Sequence, residues 1–205
     1  SLAIAPEARR RGAGRELLRI VVDRFRDEGC TEWALSVKTD NLPALRLYEP
    51  LGLRVHHTAT VLRLGWDQAH HLAREEGPYV ARPITPAEDA ALEASFGLLG
   101  GQLASMRGRS GRVQLALVDP RAPEETPVGL VCFDPAWINA SPFRVVCSSL
   151  APWLIDAVRA HAPPGEPTLG IVSEEEALTR ALLAAGASVR FETLFLRGPL
   201  PPAEH

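Results

Sequence analysis

Six residues, Arg9-Arg10-Arg11-Gly12-Ala13-Gly14, constrain this chain more than any others. They follow a short apolar run, Leu2-Ala3-Ile4-Ala5. They open a stretch in which Leu17, Leu18, Val21, Val22 and Phe25 recur at helical spacing, up to a natural stop at Gly29. The pattern predicts a strand that enters a helix through an Arg/Gly turn. The first amides of a helix have no partner inside it, and the helix dipole favours an anion there. Gly12 and Gly14 carry no side chain to obstruct a ligand, and they permit backbone conformations closed to other residues. The turn therefore reads either as a device for holding phosphate or as an Arg-rich solvated helix start. It is not a nucleoside-triphosphate loop, because no Gly-Lys-Ser/Thr follows. It is not the dinucleotide fingerprint, because a third glycine at the required spacing is absent.

A second cluster lies one strand further on. Glu32-Trp33-Ala34-Leu35-Ser36-Val37 reads as a strand, and a short helix is expected from Lys38-Thr39-Asp40-Asn41 through about Leu51. Asn41, Ala44 or Leu45, and Tyr48 fall on one stripe of that helix, at steps of three and four. Asp40 or Asn41 is placed to cap it, and Pro43 is tolerated in its first turn. Tyr48 on that stripe suits either core packing or a hydroxyl aimed between two strands. Asn41 suits capping and ligand contact together.

The two clusters resemble the GNAT superfamily of N-acetyltransferases. That family carries Arg/Gln-x-x-Gly-x-Gly/Ala, matched here by Arg9, Gly12 and Gly14. It also carries Asn-x-x-Ala-x-x-x-Tyr-x-x-x-Gly-Phe, matched by Asn41, Ala44, Tyr48 and Gly52, with Leu53 in place of phenylalanine. The resemblance covers residues 1 to about 64. It implies an α/β (α+β) GNAT acyl-CoA N-acyltransferase fold, with a mixed central sheet flanked by helices. It implies acetyl-CoA, or another acyl-CoA, as co-substrate and a primary amine on a small molecule or peptide as acceptor. Pantetheine would lie between two splayed strands, and the Ile4 N–H would polarise the thioester carbonyl. The amides from Arg10 through Arg11, Gly12, Ala13 and Gly14 to Arg15 would take the pyrophosphate, with Arg9 and Asn41 as further cofactor contacts. The Arg10 and Arg11 side chains suit either charge-assisted bonds to phosphate or exposure to solvent.

Acyl transfer to an amine sets two proton problems. An alkyl ammonium has a pKa near ~10.4, so scarcity of the neutral amine at pH 7 costs roughly 4–5 kcal/mol. The thiolate leaving group needs a donor, and Tyr48 is the candidate. A phenol near ~10 is a weaker acid than a thiol near ~8.5, so full transfer runs uphill by about 2 kcal/mol. Hydrogen bonding to the developing thiolate is therefore the expected role. The resemblance places a general base on strands at or before the start of this chain, where about 80 further residues would belong. Glu32 reads as a solvated strand-end glutamate.

The second half repeats the plan without the chemistry. Ala81–Ile84 reads as a strand, and Thr85-Pro86-Ala87-Glu88 is a capping box opening a helix to about Phe96. Strands are expected at Arg112–Val118, Val128–Phe133, Phe143–Cys147, Thr168–Val172 and Val189–Arg197. Helices are expected around Pro152–His161 and Glu174–Ala185. No Arg-x-x-Gly-x-Gly follows Phe143–Cys147, and aligning Gly186 with Gly52 puts Leu182 where Tyr48 stands. The expected layout is residues 1–64 as the C-terminal half of a GNAT domain, 65–79 as linker and 80–205 as a degenerate copy. The first copy would then be N-terminally incomplete, with a strand edge open to another chain, a homodimer included.

Composition excludes several classes. The net charge of −3 argues against nucleic-acid binding despite the arginine run. The sequence holds no apolar run long enough to span a membrane. Three cysteines, Cys30, Cys132 and Cys147, lack metal-ligand spacing and suit a reducing cytoplasm. His56-His57 and His70-His71 are adjacent pairs. Neighbours on a strand face opposite ways, so neither pair is expected to chelate, and no metal is expected. Glu174-Glu175-Glu176 reads as an acidic helix start, and Trp153 as core. The competing functional reading is a non-catalytic module that binds CoA or a partner protein through the same fold.

Overall fold

A computed structural model describes Ala5 and residues 11–108, 111–122 and 126–202. The chain runs α1 (Ala13–Asp27), β1 (Glu32–Lys38), α2 (Leu42–Tyr48), β2 (Arg54–Gly65), β3 (Val80–Pro83), α3 (Asp89–Ser95) and α4 (Gln102–Arg107). It continues through β4 (Val113–Val118), β5 (Pro127–Asp134), β6 (Asn139–Val145), α5 (Ala151–Arg159), β7 (Thr168–Ser173), α6 (Glu176–Ala184) and β8 (Ser188–Pro199). The expected strand at Leu2–Ala5 lies outside the described residues except for Ala5.

Two compact units form, one from residues 1–59 with 192–205 and one from residues 60–191. The chain passes from the first to the second within β2 and returns within β8. These limits differ from the boundaries expected at 64 and 80. Residues 65–79, expected as linker, place Trp66, Ala69, Leu72 and Tyr79 in the core of the second unit. The end of the last strand, expected to close the second copy, belongs with the first unit.

In the first unit β1 and β8 pair antiparallel from Glu32 opposite Pro199 to Lys38 opposite Thr193. Alternate residues of the two strands, Trp33, Val37 and Leu196, pack with Leu18 and Val22 of α1 and with Tyr48 and Leu53. The helical spacing seen in the sequence explains α1: Leu18 and Val22 are its buried positions. It stops as expected, with Gly29 at φ 77° and the Cys30 amide returning to Phe25 O at 2.9 Å. At the start of β2, strict alternation fails: the His56 and His57 rings both contact Phe195 of β8, so the expectation of opposite-facing histidines is corrected.

The second unit has the strand order β2–β7–β6–β5–β4–β3. Its pairs are antiparallel except β6 with β7, which run parallel. Leu115, Leu117, Val131 and Phe133 share a core with Leu154, Ile155 and Val158 of α5 and Leu178 and Leu182 of α6. Ala116 and Leu130, on the opposite face of the same strands, pack with Leu92 of α3 and Leu103 of α4. Helices thus cover both faces of a mixed sheet. The sequence pattern did not reveal α4. Its N-terminus is held from a distance by the buried Glu93 carboxylate, which accepts from the Gly101 and Leu103 amides at 2.8 and 2.7 Å.

Candidate functional site

The residues that the sequence singled out and that the structure describes lie in the first unit, at α1 and α2. Gly12 occupies the N-cap of α1 in the left-handed region, at φ 82°, ψ −8°, and no side chain caps the helix. Left-handed backbone is strained for any residue with a Cβ, which is why glycine stands here. No described atom lies within 4 Å of where a Gly12 side chain would begin, so the turn is open. The first amides of α1 have no partner within the helix, and the positive end of the helix dipole lies at that end. Arg11 and Arg15 are exposed and Ala13 and Gly14 half-buried. Ile4, Arg9 and Arg10, expected as cofactor contacts, lie outside the described residues.

Arg15, Arg19 and Arg26 fall on one stripe of α1, at steps of four and seven. They line a groove of about 530 Å³ that Arg46 and Leu47 of α2 border from the other side. Four arginines face two carboxylates there, Glu16 and Asp23. Arg19 bonds both acids, at 2.7 Å to Glu16 and 3.2 Å to Asp23. The Arg19 guanidinium holds the Glu16 carboxyl below its ordinary range. Arg26 donates to Pro201 O at 2.8 Å, which ties the end of the chain to α1. The sequence flagged Arg15 through the loop pattern. Arg19 and Arg26 were readable by their spacing from it, whereas Arg46 became part of the groove only through packing.

At the second helix, Asn41 is the N-cap of α2, and its side chain accepts from the Ala44 amide at 3.3 Å. Asn41 Oδ1 is thus engaged in capping, as its place before Pro43 suggested, and its amide nitrogen remains a donor group at an exposed position. Tyr48 closes α2 and is buried among Leu18, Val22, Trp33, Val37, Leu53 and Leu196. Burial pushes its phenol above the ordinary value. The shift makes Tyr48 a poorer acid than an exposed tyrosine, so it favours donation of a hydrogen bond over release of a proton. Trp33, in the same cluster, has a buried indole N–H with no acceptor among the described residues. The sequence gave no sign of that donor. Glu32 is exposed and pairs with Arg197 across the β1–β8 ladder, in keeping with a structural role.

The corresponding elements of the second unit have a different chemistry. Between β6 and α5 stands Cys147-Ser148-Ser149-Leu150, which turns into the helix without a glycine. Leu182 is wholly buried in the apolar core. Arg144 and Glu174 form an ion pair at 2.5 Å, so Glu174 neutralises an arginine in addition to standing near a helix start. Trp153 is half-buried; its N–H donates to Glu75 O at 3.1 Å. Among the described residues no three His, Cys, Asp or Glu donors converge as a metal site, and no helix is long and apolar enough to cross a membrane.

Residues 1–53 match the sequence profile described as the Acetyltransferase (GNAT) family. Over 85 residues the chain is 33% identical to the [ribosomal protein bS18]-alanine N-acetyltransferase of Salmonella typhimurium, a stretch that makes up 42% of this chain and 54% of that protein. The chain thus spans about half the length of that curated relative. A GCN5-related N-acetyltransferase from Sphaerobacter thermophilus matches with a TM-score of 0.57 at 18% identity, over 98% of this chain and 72% of that one. A tandem GNAT protein from the clavulanic acid biosynthesis pathway matches with a TM-score of 0.58 at 19% identity, over 100% of this chain and 75% of that one. At such identities the two structures establish a shared fold.

Proposed function

We propose that this chain, whose residues 1–53 match the profile of the acetyltransferase (GNAT) family, transfers an acetyl group from acetyl-CoA to a primary amine. The observation that carries the reading is the open, left-handed turn at Gly12, where α1 begins without a side-chain cap. Its amides offer several donors to a diphosphate at no reorganisation cost, and the arginine excess of the adjoining groove suits a ligand bearing further phosphates. Arg11, Gly12, Ala13, Gly14 and Arg15 hold the diphosphate in this reading. Ile4, Arg9 and Arg10 extend the same site on family resemblance, and Asn41 adds its amide donor.

Tyr48 donates to the sulfur as the carbon–sulfur bond breaks. The attacking amine forms the new carbon–nitrogen bond and loses a proton to a base that the described residues do not identify. The raised phenol value fits hydrogen bonding to the thiolate, with the final proton supplied by water. The acceptor is a primary amine on a small molecule or peptide. The name of the Salmonella typhimurium relative makes a peptide with N-terminal alanine the first acceptor to test.

Residues 80–205 are read as a second, non-catalytic copy. The order β6–α5–β7–α6–Gly186–β8 repeats α1–β1–α2–Gly52–β2 with a strand before it, while Leu182 and the Cys147–Leu150 turn remove the acid and the phosphate loop. The three free cysteines suit the cytoplasm.

Titration calorimetry with coenzyme A tests the binding half of this reading, and thiol release from acetyl-CoA with a panel of amines tests the chemical half. Saturable CoA binding that is weakened by Gly12→Val, together with amine-dependent thiol release, is expected. Absence of CoA binding overturns the reading.

A further inference from the structure

We propose that the turn between β5 and β6, with Trp137 as its platform, binds the ring of an uncharged pyranose sugar. The turn is held from both sides. Ile138 stands at φ 47°, a backbone region that a β-branched residue adopts only under constraint. Its carbonyl accepts from the Gly170 amide at 2.8 Å and from Arg63 Nη1 at 3.2 Å, and its side chain is buried in the core. Asp134 fixes the other side. Its Oδ1 accepts from the Ala136 amide at 3.1 Å, and its carbonyl accepts from the Trp137 amide at 3.2 Å. These bonds leave Trp137 outside, 75% exposed, beside a cleft of about 300 Å³ that it helps to line. The cleft lies wholly within the second unit and does not depend on the proposed acetyl transfer.

The cleft selects by charge. Ala116 pairs with Leu130 beneath α3 and α4, and the next pair on that face is Gln114 with Cys132. One step further, Arg112 meets Asp134 in an ion pair at 3.0 Å, so the face turns from apolar to charged as it reaches the cleft. Both charges line the cleft and offset each other there. An anionic ligand would meet Asp134 and a cationic one Arg112. Asn139 lies opposite Asp134 on the ladder, and Ser141, two residues on, shares its face. Both line the cleft, and neither side chain forms a hydrogen bond to another described residue. A purely apolar ligand would strip these groups of water and leave them unpaired. The ligand that remains is neutral, with donors and acceptors on one side and an apolar face on the other. A pyranose has that form. Its hydroxyls donate and accept, which matches a carboxylate, a guanidinium, an amide and a hydroxyl. Its C–H face is drawn to the negative face of the indole. Met106 of α4 adds a polarizable apolar wall. Small-molecule clefts start at about 300 Å³, so this one suits a single ring.

Nuclear magnetic resonance on the full chain tests the proposal, with the methyl β-pyranosides of glucose, galactose, mannose and N-acetylglucosamine as probes. At least one should bind saturably in the millimolar range, shift the Trp137 indole N–H and receive magnetisation from the protein at its ring C–H protons. Trp137→Ala should weaken that binding by an order of magnitude or more, and Asn139→Ala by several-fold. Trp137→Phe keeps an aromatic face and should fall between Trp137→Ala and the unaltered chain. Trp137 is exposed, so its replacement leaves the core intact, and an unchanged melting temperature checks this. Glucose phosphate and glucosamine should bind no more tightly than glucose, because the paired charges favour neither. Failure of all four pyranosides to bind overturns the proposal. So does binding that survives Trp137→Ala at full strength, or tighter binding at Trp137 of a charged sugar or of a nucleoside such as uridine.

Discussion

Gly198 of β8 lies against the backbone of Gly52, so closely that a Cβ on Gly198 would fall 3.0 Å from the Gly52 carbonyl carbon and nearer still to its oxygen. Gly52 itself sits at φ 80° with open space where a side chain would go. The two glycines thus answer to different demands, one to crowding and one to backbone conformation. Gly198→Ala should destabilise the first unit by about 1–3 kcal/mol, the usual cost of overpacking. Gly52→Ala should cost about 1–2 kcal/mol through left-handed strain alone. Thermal unfolding of the two single variants and their combination checks this. Because the residues touch, the combination should depart from the sum of the two.

Tyr48→Phe removes the proposed donor to sulfur and keeps the ring in its apolar cluster. Turnover should fall by about 10²–10⁴-fold with little change in melting temperature. Burial raises the Tyr48 phenol above its ordinary value, so the neutral form is the one the fold favours. Its contribution to stability is full below the unfolded value near ~10 and is lost as pH climbs through the raised value. The alkaline limb of the rate profile should lie above that of an exposed tyrosine. Unchanged turnover in Tyr48→Phe would remove the residue from the mechanism.

Asn41 can be tested for two roles at once. Asn41→Ala should cost about 1 kcal/mol by uncapping α2. Asn41→Ser keeps a capping oxygen and removes the amide donor. If the Asn41 amide contacts the cofactor, Asn41→Ser should raise KM for acetyl-CoA while leaving the melting temperature in place. A change in neither quantity would leave Asn41 with capping as its sole duty.

Glu88 shows the acid-side behaviour of the second unit. Its carboxylate accepts from Arg82 at 2.6 Å and from the Thr85 hydroxyl and amide at 2.6 and 2.9 Å. These bonds, the Arg82 bond foremost, pull its pKa from 4.5 to about 2. A lowered carboxyl value contributes stability that is complete above the unfolded value and disappears as pH falls through the folded one. Glu88→Gln should therefore lower the melting temperature at pH 7 and converge with the unaltered chain near pH 2. Parallel curves over that range would show that the capping box is not coupled to proton binding.

The Gly12 turn gives the sharpest test of the anion site. Gly12→Ala adds no clash, since nothing described lies within 4 Å, yet it strains a backbone at φ 82°. Stability should fall by about 1–2 kcal/mol, and coenzyme A affinity should fall beyond that because the amides lose their alignment. Equal affinity in calorimetry would place the diphosphate elsewhere.

Local chemistry made much of this protein readable from its residues in order. Gly12 and Gly29 at the ends of α1, Asn41 before α2 and the Thr85–Glu88 box act within a few positions of themselves, so their signals survive any arrangement of the rest. The apolar spacing of Leu18 and Val22 likewise states which face of α1 is buried. Contacts that join distant segments left no such mark. Only packing brought Gly198 to Gly52, Arg46 beside the α1 arginines, Trp66 and Tyr79 from a presumed linker into a core, and two neighbouring histidines over Phe195. The physical reason is range. Caps, turns and helical stripes are set by bonds between near neighbours, whereas strand partners, grooves and ring contacts depend on how burial of apolar surface draws remote parts of the chain together.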